Sequence, residues 1–149
     1  ACAGGEEKLR LCEELGADVL IDYTRVDFSK RVREETAKRG VEVCVDYVGK
    51  DTWSRSILSL AKGGRLVTCG ATTGYDASTD LRFVFFKQLE IIGSTMGSPA
   101  ELLAALRLIF EGEMHAVVGK VVELERTADA HRLMEARQAL GKIVVRVGD

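Results

Sequence analysis

The chain has 149 residues, 46% of them hydrophobic and 30% charged, the size and balance of one globular domain able to bury a core. A net charge of −2 gives no electrostatic case for nucleic acid or an anionic membrane as partner, and no apolar run reaches the roughly 20 residues of a membrane span. The N-terminus carries neither a signal-peptide pattern nor an initiator Met, so a piece of a longer polypeptide is expected.

In chain order, Ala1–Ala3 reads as the end of a strand, and Glu6–Leu15 as a helix with Leu9, Cys12 and Leu15 on one face, stopped by Gly16. Val19–Ile21 is a short buried strand running into Asp22 and Tyr23. Asp27 caps a second helix whose stripe includes Phe28 and Val32, with Gly40 as its terminator. Val41–Val48 is an apolar strand ending at Gly49. Asp51–Ala61 is an amphipathic helix with Ile57, Leu58 and Leu60 inward, and Arg65–Cys69 is a second apolar strand ending at Gly70. Ala71–Asp80 is a polar loop. Apolar residues resume at Phe83–Phe86, and Gln88–Ser94 is a strand. Ser98, Pro99 and Glu101 then form a strong helix start: a cap, a proline at the first turn and a glutamate three residues after the cap. That helix carries Leu102, Leu103, Leu106, Ile109 and Phe110 to near Gly112. Val117–Leu124 is a strand, Ala128–Leu140 a helix and Lys142–Val147 a closing strand.

Strands alternating with helices imply a parallel sheet covered on both faces, a doubly wound α/β fold of Rossmann type. In such sheets ligands sit outside the carboxyl ends of the strands, so the small residues Gly49 and Gly70 mark a nucleotide site. The glycine-rich phosphate loop and the first strand of that fold are not found in the chain, which makes the expected sheet incomplete.

Dinucleotide binders that use NAD end their second strand with an acid for the adenosine ribose. Here Ala3 and Gly4 occupy that place, followed by Glu6, Glu7 and Lys8. Two readings stand. Lys8 meets the 2′-phosphate of NADP, or Glu6 and Glu7 merely favour the helix N-terminus while Lys8 is solvated. The four cysteines form no CxxC pair; Cys44 and Cys69 lie in apolar strands and read as small buried hydrophobes in a cytosolic protein. His115 and His131 read as solvated, Asp46 as a residue that orients the loop after its strand, and Trp53 as packing.

Lys8, LGADVLIDY (Leu15–Tyr23), GVEVCVDYVG (Gly40–Gly49), LAKGGRLVTCG (Leu60–Gly70), FFKQLEIIGSTMGS (Phe85–Ser98) and LGKIVVRV (Leu140–Val147) together resemble the medium-chain dehydrogenase/reductase family. That family holds zinc-type alcohol dehydrogenases and zinc-free quinone oxidoreductases. The resemblance implies hydride transfer between a nicotinamide cofactor and an alcohol or carbonyl carbon. It implies NADP or NAD as cofactor, with NADP favoured. Lys8 and Tyr23 match the pair beside the 2′-phosphate and adenosine ribose. Tyr47 stands where relatives often have Asn. Val48 and Gly49, then Cys69, Gly70 and Ala71, match the strand ends lining the cofactor groove. Thr95, Met96 and Gly97 match the segment beside the nicotinamide carboxamide.

The resemblance further implies that residues 1–116 are a partial cofactor domain and that 117–149 return to a substrate domain. Catalytic and zinc-binding residues are expected outside this chain, so alone it should be inactive. The strand order 3-2-1-4-5-6 would leave the N-terminal strand pair and the strands from Val41 onward without a shared hydrogen-bonded neighbour. Leu89–Ser94 is expected to pair with a second copy in a homodimer. The alcohol dehydrogenase branch is the first expectation, on the stretch DLRFVFFKQLEIIGSTMGS. A zinc-free NADPH quinone or enone reductase and a non-catalytic dinucleotide-binding module are the rivals. A methyltransferase is disfavoured, since it too needs a ribose-binding acid near Ala3.

Overall fold

In a computed structural model the structure describes residues 1–148. The chain divides into two compact units, Ala1–Thr95 and the residues from Met96 onward. In the first unit the elements are β1 (Cys2–Ala3), α1 (Glu6–Glu14), β2 (Ile21–Asp22), α2 (Phe28–Glu35), β3 (Val41–Val45), α3 (Trp53–Ser59), β4 (Leu60–Thr68), α4 (Leu81–Lys87) and β5 (Glu90–Gly93). The second unit contains α5 (Pro99–Phe110), β6 (Val118–Glu123), a short 3₁₀ turn (Leu124–Arg126), α6 (Thr127–Glu135) and β7 (Lys142–Arg146).

Every ladder among the described residues is parallel, as the alternation of strands and helices requires. The mixed α/β class with parallel sheets is therefore as expected. The strands fall into separate sheets: β1 pairs with β2, β3–β4–β5 form a three-stranded sheet, and β6 pairs with β7. No ladder among the described residues joins β1–β2 to β3–β5, in line with the expected strand order. Between these two sheets lies an apolar cavity of about 340 Å³ lined by Cys2, Ile21, Phe28, Val32, Val43 and Cys44. The two halves meet through α2 and α3, where the Arg55 guanidinium lies 4.9 Å from the centroid of the Phe28 ring.

The core of the first unit is Ile57, Leu60, Leu66 and Leu89, with Val41, Cys44, Trp53 and Phe83 packed against it. These side chains come from α3, α4, the three-stranded sheet and, for Leu89, the link from α4 to β5, so one hydrophobic layer fixes helix and sheet together. The chain is closed off at the far end of this layer by Lys87, whose Nζ donates to the carbonyls of Leu58 and Leu60 at 3.1 and 2.8 Å.

Several boundaries differ from the sequence reading. The second helix stops at Glu35, not at Gly40, because Ala37 and Lys38 take up left-handed φ angles. Its cap is as expected, with the Asp27 carboxylate accepting from the Ser29 N–H at 2.9 Å. The third helix ends at Ser59 and the strand begins at once with Leu60, which pairs with Val41 before a register shift restores pairing at Val43 and Arg65. Gly40 sits in a left-handed conformation against this junction, where a Cβ would come within 2.6 Å of the Ser59 carbonyl oxygen. Leu81–Lys87 is a full helix, capped by Asp80 through the Arg82 N–H; the apolar cluster Phe83–Phe86 alone did not reveal it. The strand at Val41 ends at Val45, leaving Asp46–Gly49 as a turn. The helix expected over Ala128–Leu140 is Thr127–Glu135, and the left-handed Arg137 lies just beyond it. The Ser98–Glu101 capping box forms as read.

The cysteines correct the expectation of burial. Cys69 is exposed at the end of β4 and Cys44 is half-buried. Cys69 lies past the last paired residue of its strand, so the sheet no longer covers it.

Leu66 is fully buried at the centre of the sheet, so in the intact protein Leu66→Ala should cost about 2–5 kcal/mol. Urea unfolding of the two proteins measures the difference, and a loss below about 1 kcal/mol would show that this layer does not hold the unit together.

Candidate functional site

The three-stranded sheet ends its strands at Val45, Thr68 and Gly93, all on one edge because the strands are parallel. An open groove of about 680 Å³ runs along that carboxyl edge. Its floor and walls are mostly small residues: Gly49, Gly70, Ala71, Gly74, Gly93 and Ser94. Trp53, Tyr75 and Thr79 close one side, and Thr68, Cys69 and Thr95 complete the strand ends. A groove of this size, with backbone groups unscreened by side chains, suits an elongated polar ligand that approaches the main chain closely. At Gly93 the space where a Cβ would stand is open, with no atom within 4 Å.

Two loops build the wall, and hydrogen bonds lock them together. The Tyr47 carbonyl accepts from the N–H and hydroxyl of Thr72 at 3.3 and 3.1 Å. The Val48 carbonyl accepts from the N–H and hydroxyl of Thr73 at 2.8 and 2.9 Å. In return the Lys50 N–H donates to the Gly74 carbonyl at 3.0 Å, and the Asp51 N–H to the Thr73 hydroxyl at 3.1 Å. Gly49 sits at the crossing with φ +92°, and a Cβ there would stand 2.6 Å from the Gly74 carbonyl oxygen. Only glycine satisfies both the left-handed backbone and that approach. The rest of the second loop is pinned by Lys50 Nζ on the Asp76 carboxylate at 2.6 Å and by the Trp53 indole N–H on Thr79 Oγ1 at 2.8 Å.

Asp46 anchors the first loop from below. It is only 3% exposed, and four groups converge on its carboxylate. The N–H groups of Val48 and Gly49 donate to Oδ1 at 2.9 and 3.0 Å, and the Ser56 hydroxyl to Oδ2 at 2.6 Å. The Thr52 hydroxyl lies 3.0 and 2.9 Å from the two oxygens. Burial pushes the pKa of this carboxyl up, but the hydrogen bonds from Ser56, Gly49, Thr52 and Val48 together outweigh it and hold the group below its ordinary value. Burial raises the neighbouring Cys44 thiol, which is thereby kept protonated.

The expected site residues divide into separate places. Gly49, Cys69, Gly70, Ala71 and Thr95 line the groove together. Tyr23, Tyr47 and Val48 line a smaller adjacent pocket of about 110 Å³ with Cys2, Phe28 and Asp46. Tyr23 reaches across the end of β1, where its hydroxyl would stand 3.0 Å from a Cβ at Gly4. Lys8 lies on α1 and lines neither cavity. Met96, with a left-handed φ of 53°, and Gly97 belong to the second unit. Next to Tyr23, Asp22 turns its carboxylate back on its own loop, accepting from the N–H and hydroxyl of Thr24 at 2.9 and 2.5 Å, and this lowers its pKa.

Sequence reading missed Trp53, Gly74, Tyr75 and Thr79 as lining residues, and gave Gly93 and Ser94 to the strand and its expected pairing with a second copy. The strand-end rule applied to Gly49 and Gly70 would have found Gly93 as well. Among the described residues no group of three His, Cys, Asp or Glu side chains converges as a metal site. No helix among them is long and apolar enough to cross a membrane.

Because the folded pKa of Asp46 is lowered, its carboxylate stabilises the fold at every pH above its unfolded value of 3.8, and this contribution fades as pH falls through the folded pKa. Asp46→Asn should therefore cost about 1–3 kcal/mol at pH 7, and the gap between the two proteins should narrow below about pH 4. Denaturant unfolding at several pH values reads this; a gap that stays constant down to pH 2 would contradict it.

A sequence profile described as zinc-binding dehydrogenase matches residues 1–111. The chain is 42% identical to the crystal structure of an NAD-dependent alcohol dehydrogenase, with a TM-score of 0.92 over 99% of this chain and 43% of that one. A crotonyl-CoA carboxylase/reductase solved in complex with NADP is 28% identical, with a TM-score of 0.91 over 99% of this chain and 43% of that one. Quinone oxidoreductase-like protein 2 of Bos taurus is 30% identical over 97% of this chain and 44% of its own length. The chain thus spans less than half the length of these relatives. The parallel strands, the groove along their carboxyl edge and the profile match agree: the chain belongs to the zinc-binding dehydrogenases of the medium-chain dehydrogenase/reductase family, and its fold is that of their Rossmann-like nucleotide-binding domain.

Proposed function

We propose that the full-length protein is an NAD(P)-dependent oxidoreductase of the alcohol dehydrogenase type, and that this chain supplies most of its cofactor site. The observation that carries the reading is the groove at the carboxyl edge of β3–β5, walled by Gly49, Gly70, Ala71, Gly74 and Gly93. The cofactor supplies the hydride, exchanged between nicotinamide C4 and an alcohol or carbonyl carbon. The residues of this chain bind and orient it. Gly49 and Gly70 let the dinucleotide lie against the backbone, and Thr95, Met96 and Gly97 meet the nicotinamide end. Tyr23 and Tyr47 serve the adenosine end, with Lys8 on the 2′-phosphate, which makes NADP the favoured cofactor. The likenesses to an NADP-bound relative and to an NAD-dependent alcohol dehydrogenase both support a nicotinamide dinucleotide. Residues 117–149 return to the substrate domain, where catalytic and any zinc-binding residues reside. The protein acts in the cytoplasm as a homodimer joined along Leu89–Ser94, whose strand β5 is an exposed edge with Ile91 and Ile92 outward.

A second reading, zinc-free reduction of a quinone or an enone, is favoured by the likeness to a quinone oxidoreductase-like protein. Both are settled on the purified full-length protein, assayed for zinc and for NADPH- and NADH-linked turnover of alcohols, aldehydes, quinones and enones. Bound zinc with alcohol or aldehyde turnover supports the first reading, and quinone or enone turnover without zinc supports the second. Cofactor binding with no turnover of any class would mean a dinucleotide-binding module. Lys8→Ala and Tyr23→Phe each remove a contact to the adenosine end, worth about 1.5–3 kcal/mol where it is charge-assisted. Lys8→Ala should lower the NADPH-to-NADH affinity ratio at least tenfold. An unchanged ratio in both variants would refute the 2′-phosphate assignment.

A further inference from the structure

We propose that Asp46 is a positioning residue for dinucleotide binding, one that sets the Val48–Gly49 turn and, through it, the Ala71–Gly74 loop, so that the groove wall is in place before the cofactor arrives. The inference rests on the reading of that groove as a dinucleotide site.

Asp46 does not line the groove itself, although it borders the smaller adjacent pocket with Tyr23 and Tyr47. It is almost fully buried, and its carboxylate is met by two hydroxyls and by the backbone N–H groups of the turn. A buried charge is costly, and an apolar side chain of similar size would serve plain packing as well or better. What an apolar side chain does not supply is two acceptor positions for the N–H groups of Val48 and Gly49. Those two residues carry the consequence upward. The Val48 carbonyl holds Thr73, Gly49 leaves only 2.6 Å between its missing Cβ and the Gly74 oxygen, and Gly74 accepts from Lys50. A turn that moves must carry the opposite loop with it or break the hydrogen bonds that join the two. Gly49, Ala71 and Gly74 are groove residues, so the wall moves too.

The effect on binding follows from population. When only a fraction of molecules holds the competent wall, the apparent Kd rises by the inverse of that fraction. Asp46→Ala strips the acceptor from two backbone N–H groups and lets the turn sample other conformations. Asp46→Asn keeps Oδ1 for both N–H groups, and its amide can donate to the Ser56 hydroxyl in place of the lost oxygen. The alanine variant should therefore lose affinity that the asparagine variant retains, although both lose stability. Ser56→Ala removes a donor on α3 that does not touch the turn, and should cost stability without weakening binding.

The test titrates NADPH and NADH into the full-length protein and its variants, well below each variant's own Tm. Asp46→Ala is expected to weaken the better cofactor at least tenfold and to raise its KM by more than it lowers kcat. Asp46→Asn and Ser56→Ala should stay within about threefold of the parent. Equal weakening in Asp46→Ala and Asp46→Asn, or an unchanged Kd in Asp46→Ala despite a lower Tm, overturns the proposal and leaves Asp46 a structural residue. If Asp46→Ala is not recovered folded, Thr52→Val, which removes a hydroxyl that bonds both the carboxylate and the Gly49 carbonyl of the turn, takes its place: weakening beyond threefold supports the proposal and an unchanged Kd overturns it. A parent that binds neither dinucleotide refutes the cofactor reading itself, and this inference with it.

Discussion

The carboxylate of Asp46 is the constraint on which the site depends. It faces four donors beneath the end of β3, where the chain must leave the sheet, turn sharply and start a helix within a few residues. The Val48 N–H in that turn is partly buried and the Gly49 N–H buried, and buried N–H groups need partners. Asp46 provides them from the strand itself. The turn then presents Gly49 to the loop after β4, and the reciprocal hydrogen bonds between the two loops follow. Among the described residues no buried side-chain polar atom lacks a partner, and much of that satisfaction near the groove traces to this carboxylate and to Thr72 and Thr73.

Function grows from the same geometry. Parallel strands bring their carboxyl ends to one edge, so the turns after β3, β4 and β5 stand side by side without any further device. Small residues at those turns leave the backbone accessible, and the core of Ile57, Leu60, Leu66 and Leu89 keeps the three strand ends in register. The site is thus an opening in a rigid frame, with pinned loops above it. Trp53 shows the economy of the arrangement: its ring joins the core while its indole N–H fixes Thr79 beside it in the groove lining. A cofactor that performs the chemistry itself needs this kind of support, a fixed shape and a close approach, more than it needs reactive side chains.

Most of the fold was legible in the sequence, because hydrophobic periodicity, capping residues and glycine stops report local structure directly. The Asp27 cap and the Ser98–Glu101 box formed as read. The places that were missed are ones where tertiary context decides. Ala37 and Lys38 end their helix in left-handed conformations that nothing in their side chains announces. Leu60 leaves α3 to pair with Val41, an outcome set by the neighbouring strand and not by the amphipathic pattern before it. Cys69 looked like a buried hydrophobe because its strand is apolar, yet it lies just past the paired region and opens on the groove. Strand ends pointed to Gly49 and Gly70. Trp53, Tyr75 and Thr79 were invisible as lining residues, since they reach the groove from a helix and a loop whose course the sequence does not encode.

The central claim is that the carboxyl edge of β3–β5 is one wall of a dinucleotide site. A crystal structure of the full-length protein with NADPH bound tests it most directly. The account predicts the dinucleotide running along this edge, against the backbone of Gly49 and Gly70 and past Thr95, with Asp46 still beneath the turn and making no contact with it. A dinucleotide bound elsewhere on the protein, with this groove filled by solvent or by another segment, would contradict it.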